Sequence, residues 1–460
     1  MKQYEKYKPI RSSVFNEAPV FWNKYRVKDT VDRNTYYPVG DGDHGSIKPE
    51  MYQEEGIPYI RVQNLTWHGE ILTDGIVCIS EEVQLLNKKS NLYPGDILIA
   101  KTGATIGKLG LIPEYIKEAN TTSSVGKLTV DKTRFNPKYI LYCFQSRALQ
   151  DQIWLEASQK SAQPGFNIDD LIVFEFLAPD LNGQSEIVLF LDHQTAIIDQ
   201  LIQQKEKLIE LLKEKRQAVI NEAVTKGLNP NAKMKDSGIE WLGEMPAGWK
   251  LKRLRYLGKC QNGVSQGSEY FGSGDPFVSY GDVYKNITLP REVAGLAKST
   301  ESDKEAYSVL EGDVFFTRTS ETIEEIAFAS TCLETITNAV FAGFLIRFRP
   351  ISNVIDKNFS KYYFRSHIPR IFFVKEMNLV TRASLSQELL KNLPVLLPSL
   401  HEQREIASFL DGKIAQFNNL ILELNNVILK LKEYRQSIIS EAVTGKIDVR
   451  EWQPNKQLIV

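Results

Sequence analysis

Two stretches of this chain carry apolar residues at seven-residue spacing against a charged background. In the first, Leu191, Ile198, Leu212 and Val219 keep the spacing with Lys205 interrupting, while Ile187, Leu201 and Leu208 fill a second position. In the other, Leu410, Phe417, Leu424, Leu431 and Ile438 are joined by Ile406, Leu420 and Val427. Seams of this period predict two long helices packed on each other as a coiled coil. No proline falls between Asp180 and Asn229, and Gly227 followed by Pro230 marks the stop of the first helix. The remaining faces are polar (Lys205, Glu206, Lys207, Glu210, Lys213, Glu214, Lys215, Arg216), as an exposed rod requires. Phe190, Ile202, Phe409 and Ile421 are apolar yet fall outside both seams. They are candidate contacts for a partner chain, or for the globular bodies.

Before each helix the texture changes to short β-branched and aromatic runs broken by turn residues. Gly56-Ile-Pro-Tyr-Ile-Arg-Val62 and Gly95-Asp-Ile-Leu-Ile-Ala100 are echoed by Gly274-Asp-Pro-Phe-Val-Ser-Tyr280 and Gly312-Asp-Val-Phe-Phe-Thr317. The echo is a duplication. At an offset of 219 residues, 20 of the 42 positions from Gln184 to Thr225 are identical in the second copy, without a gap. Glu17-x-Pro19-x-x-Trp22 returns as Glu244-x-Pro246-x-x-Trp249, and Leu177-x-Pro179-x-Leu181 as Leu396-x-Pro398-x-Leu400. The helices match closely while the bodies before them have drifted apart, as two reading heads on a shared frame would. The expected fold is α+β, with two pseudo-symmetric mixed α/β bodies at residues 1–180 and 230–398. Spacer helices at 181–229 and 399–460 separate them.

Composition narrows the class. A net charge of −1 argues against a histone-like binder while permitting local basic patches. No apolar run approaches the roughly 18 residues of a membrane span. The four cysteines (Cys78, Cys143, Cys260, Cys332) lack metal-ligand spacing and fit reduced thiols in a cytoplasm. No catalytic constellation emerges. Gly103-Ala-Thr-Ile-Gly-Lys108 is one residue short of a P-loop, and Leu109 stands where its Ser or Thr would be. Asn136-Pro-Lys-Tyr139 only partly echoes an adenine methyltransferase motif. His193 faces Gly412 in the other copy, which argues for a surface position, and Asp192 and Asp411 fit a structural role.

Several motifs run along the whole chain in one order. They are GDILIAKTGATIG (Gly95 to Gly107), GDVFFTRTS (Gly312 to Ser320), SGIEWLGEMPAGW (Ser237 to Trp249), PxLxxQ at Pro179 and Pro398, and the EAVTGK-type helix ends. In these the chain resembles the specificity subunits of type I restriction–modification systems. The resemblance implies a non-catalytic subunit with two target recognition domains, each reading half of a split double-stranded DNA site. It implies two docked modification subunits carrying S-adenosylmethionine, and restriction subunits using ATP and magnesium. It implies that the two spacer helices run antiparallel and set the gap between the half-sites, and it implies no cofactor in this chain.

Base reading needs Arg, Lys, Asn, Gln and small hydroxyls on loops, which match the edges of the major groove. Arg61, Gln63 and Asn64 close the first β run, and Lys101, Thr102, Thr105 and Lys108 lie on the glycine-rich loop. Arg318, Thr319 and Ser320 hold the corresponding loop of the second copy, and Lys160 and Arg382 precede the last strands. Each of these residue types is also ordinary on a solvated loop. A helix of 42 residues at 1.5 Å each spans roughly 63 Å, or at most about 18 base pairs. Two rival classes fit the repeat: a stand-alone two-headed DNA-binding regulator, and a scaffold whose heads bind protein.

Overall fold

The two seven-residue patterns form single helices, Leu181–Lys226 and Leu400–Val443. A computed structural model of the chain describes residues 2–159, 164–320, 326–376 and 383–454. It divides into two units, residues 1–206 with 425–460 and residues 207–424, so each unit takes part of both helices. Within the first unit Asp199 receives Arg435 at 2.8 and 3.1 Å, and Glu206 lies 3.9 Å from Lys432. Partner numbers fall as the others rise, so the segments run antiparallel. Within the second unit Arg216 donates to Asn418 at 2.7 Å, and Gly227 lies beside Glu402. Asn418 is the repeat equivalent of Asp199, and Arg216 of Arg435, so one contact is built twice.

The seam corrects the sequence reading by one residue. Its second position runs through Ile202, Ile209 and Ile428, all buried, and the half-buried Ile421. Leu201, Leu208, Leu420 and Val427 are exposed instead. Both choices are apolar, so periodicity alone does not decide between a step of three and a step of four. The globular body decides: Ile202 faces a groove lined by Trp67, His68 and Gln145 of its own unit. The flank of the seam turned toward the body is the flank that becomes covered.

Buried glutamines fasten each helix start. Gln184 accepts from the Asn136 amide at 2.9 Å and donates to the carbonyls of Pro179 and Arg134. Gln403 accepts from the Asp356 amide at 2.7 Å and donates to the carbonyls of Pro398 and Val354. The PxLxxQ motif is this joint. Asn136 in turn caps the helix Pro137–Gln145, which explains its partial methyltransferase echo. Each helix end is closed by a glycine in the left-handed region, Gly227 (φ 73°) and Gly445 (φ 72°). A Cβ on Gly227 would press on Glu402 and the buried Trp249, and one on Gly445 would press on Pro19. Asp192 is also structural, binding Lys138 and Tyr142 at 2.7 Å each, and Asp411 binds Lys361 and Tyr362.

The bodies follow one plan. In the first unit the wholly buried strand Ile97–Ala100 lies inside an antiparallel sheet ordered Val39–Asp41, Val125–Leu128, Ile97–Ala100, Leu109–Leu111. The second unit repeats it as Gly258–Asn262, Leu345–Pro350, Val314–Thr317, Ala329–Thr331. A smaller sheet in each contains a parallel pair, Ile57–Ile60 with Ala119–Thr121 and Phe271–Val278 with Val340–Phe341. Unbroken apolar runs such as ILIA and VFFT are what strands covered on both faces require. The expected α+β architecture, repeated once around paired helices, is the one observed.

Candidate nucleic-acid interface

The glycine-rich loop returns Ile97–Ala100 into its antiparallel neighbour Leu109–Leu111. Gly103 (φ 77°) and Gly107 (φ 85°) take left-handed conformations, and a Cβ on Gly107 would sit 2.6 Å from Gln150. The Gly107 amide donates to Ala100 at 3.0 Å, as Ala327 does to Thr317 at 3.1 Å in the second unit. Ala327 holds the same left-handed turn at φ 58°. A strand follows the loop, so the helix N-terminus that a P-loop uses for phosphate is not formed here.

On this turn Thr102, Thr105 and Lys108 are half-buried, with part of each surface open to solvent. Lys101 departs from expectation. It is buried, its ammonium pairs with the Asp41 carboxylate, and its backbone is tied to Ser124 and Phe166. Asn64 also departs: it is buried, accepts from the Arg61 amide at 3.0 Å and donates to Leu72 at 3.1 Å. Polar groups already satisfied inside the protein reach DNA only by breaking those bonds. Lys101 and Asn64 are joints of the head, not free contacts. Half-buried Arg61 donates to the Gly75 carbonyl and lies 5.6 Å from the Tyr52 ring centre; Gln63 is exposed.

The second unit holds the backbone of Arg318, which donates to Phe344 at 2.9 Å and accepts from Leu385 at 2.7 Å, and leaves the residue half-buried. Thr319–Ser320 pairs with Ala383–Ser384, and Tyr280 donates to the Thr319 carbonyl at 2.9 Å. Lys160, Arg382 and the side chain of Ser320 lie outside the described residues.

At the start of each central strand, the end away from the turn, the electrostatics differ. Asp96 receives the Tyr93 amide, and burial pushes its carboxyl up to about 6, while burial lowers the neighbouring Lys127. The equivalent Asp313 is held by Arg349 at 2.6 and 2.7 Å. Among the described residues, one head thus buries a carboxyl without an ion pair, and the other pairs its buried carboxylate with a half-buried arginine.

The apolar residues picked from the helices divide. Phe190 is buried under Trp452, 5.2 Å between ring centres, and His193, expected at the surface, is half-buried under the same ring. Phe190 is therefore a contact within its own unit. Ile202 and Ile421 belong to the seam. Phe409 is exposed beside Val219 and Leu242. Pattern reading missed the exposed flank of Leu201, Leu208, Leu420 and Val427. Identity between the copies gives no clear signal for it: Leu208 becomes Val427, but Leu201/Leu420 is as identical as Ile202/Ile421 and Ile209/Ile428.

A family model described as type I restriction modification DNA specificity domain matches residues 22–211 and again residues 246–430. The chain belongs to that family. Each match of the specificity domain opens at or beside the buried tryptophan and ends inside a long helix, so the duplication is a duplication of this domain. The specificity chain is 24% identical over 425 residues to the type I restriction enzyme EcoKI specificity subunit of Escherichia coli (strain K12), covering 88% of this chain and 86% of that one. It resembles the crystal structure of the HsdS subunit from Thermoanaerobacter tengcongensis with a TM-score of 0.53 at 16% identity, covering 94% and 98%. A chain solved in work on complex assembly and conformational transition of the type I R-M system gives a TM-score of 0.70 at 16% identity, covering 94% and 99%. At such identities these likenesses speak for the fold alone.

Proposed function

We propose that the chain is the DNA specificity subunit of a type I restriction–modification complex, with each unit reading one half of a two-part duplex site. The observation that carries this is the specificity domain occurring twice, on matched helices but with heads that have diverged. A matched frame suits a fixed spacing, and divergent heads suit two different half-sites. Among the open residues, Gln63, Thr102, Thr105 and Lys108 serve the first half-site, and Arg318 and Thr319 the second.

The exposed flank of Leu201 and Val427 in the first unit recurs as Leu208 and Leu420 in the second. These repeated apolar pairs, with Phe409 nearer the start of the second helix, are where two modification subunits dock. Methyl transfer to adenine from S-adenosylmethionine belongs to those partners, with the adenine flipped into their pocket. Cleavage with ATP and magnesium belongs to restriction subunits, all in the cytoplasm. With a net charge of −1, this chain relies on its partners for part of the attraction to DNA.

Exchanging residues 1–180 for those of a relative, in complex with modification subunits, tests the two-head reading. One half of the recognised sequence should change and the other persist. A change in both halves sinks it. Tight binding of a continuous site by the isolated chain would favour the regulator instead.

A further inference from the structure

The two central sheets differ along one edge. In the second unit Gly258–Asn262 runs unbroken beside Leu345–Pro350, and Lys259 alone faces Arg349. The equivalent of Arg349 in the first unit is Thr129, since Leu128 faces Ile97 as Phe348 faces Val314. There the edge leaves the sheet. The Asp32 amide donates to the Thr129 carbonyl at 3.0 Å, the Thr129 amide donates to Pro38 at 2.6 Å, and residues 33–37 stand out between them.

This excursion is a built turn. The Asp32 carboxylate receives the Asn34 amide at 2.9 Å and the Thr35 hydroxyl at 2.8 Å. At its tip Tyr36 and Tyr37 are exposed and meet edge to face, 5.1 Å between ring centres. Tyr37 holds φ 52°, a strained conformation for an aromatic residue. Lys89 lies 4.8 Å from the centre of its ring.

The tyrosines form one wall of a groove of about 680 Å³, with Leu85, Leu86 and Lys88 on another. Leu86, at 80%, has the highest exposure of any large apolar side chain among the described residues. The acids of the groove are held: Asp41 by Lys101, and Asp43 by the amides of Gly45, Ser46 and Ile47 at 2.9 to 3.0 Å. The amides leave the Asp43 charge in place, so Lys88 and Lys89 outweigh it and make the groove net positive. Exposed aromatic and apolar tips flanked by lysines fit a nucleic-acid backbone and the faces of its bases.

We propose that residues 32–38 are a DNA-contacting arm of the first head. Tyr36, Tyr37 and Leu86 pack against bases and sugars of its half-site, and Lys88 and Lys89 hold phosphates. This rests on the two-head reading above. Duplex DNA is favoured over a modification subunit because a partner used twice needs a surface offered twice, and the arm is offered once.

The test uses the complex with modification subunits and the duplex it selects from a random library. Tyr37→Gly removes the ring while relieving the left-handed strain, so melting should stay level or rise. Affinity should fall about tenfold, with discrimination at the second half-site unchanged. Lys88→Ala with Lys89→Ala should lower the slope of log affinity against log salt by about two. Wild-type affinity in Tyr37→Gly, or lost binding of modification subunits in place of lost DNA affinity, overturns the arm alone. A wild-type complex that selects no two-part duplex overturns the functional reading, and the arm with it.

Discussion

Ile202 and Leu201 are adjacent, both apolar, and predicted to behave oppositely. Ile202 is 9% exposed and faces both the partner helix segment and its own globular body, whereas Leu201 is 37% exposed. Truncating a buried isoleucine to alanine costs about 2–5 kcal/mol. The groove beside Ile202 opens to solvent and limits the loss, so Ile202→Ala should cost about 2–3 kcal/mol. Leu201→Ala removes less covered area and gains slightly in helix propensity, so it should cost at most about 1 kcal/mol. Urea unfolding followed by helical circular dichroism reads both values, provided the slope stays that of the parent. The same pair recurs at Ile421 and Leu420, which permits an internal replicate. Equal costs at the two positions, or a larger cost at Leu201, would refute the assignment of the seam.

Four further outcomes follow. Gln403→Leu leaves the half-buried Asp356 amide and two carbonyls unpaired, and should lower stability by about 2–4 kcal/mol in urea unfolding. Burial raises the Asp96 carboxyl to about 6, above the 3.8 usual for aspartate, so it favours folding when protonated. Stability should therefore decline as pH rises from about 4 to about 6 and level off above; Asp96→Asn should flatten that decline and stabilise at neutral pH by up to about 3 kcal/mol. Asp313→Asn should instead destabilise by about 1–3 kcal/mol, because it weakens the Arg349 pair. Leu420→Asp with Val427→Asp should leave the fold intact and abolish co-purification with modification subunits; retained co-purification places that docking elsewhere.

The frame was legible in the sequence because its signals are periodic and repeated. Seven-residue seams, a glycine stop and a gapless duplication each constrain the helices independently, and the buried runs ILIA and VFFT mark the central strands. Choices that depend on a third body were not legible. Whether Leu201 or Ile202 turns inward depends on the head packed beside the helices. Lys101 reads as a free cation until Asp41, far away in sequence, comes to pair with it. Phe190 reads as open until the tail brings Trp452 over it. The arm at residues 32–38 shows only when both copies are laid strand on strand, because its sequence has no counterpart to compare.

The central claim is that two heads on one frame read two half-sites at a fixed distance. Its most direct test is to map the adenines methylated by the chain assembled with modification subunits, across random or genomic DNA. The first helix, 46 residues at 1.5 Å each, limits the gap to about 20 base pairs. The account predicts two short, dissimilar half-sites with one invariant gap below that limit. A continuous site, or half-sites at variable spacing, contradicts it.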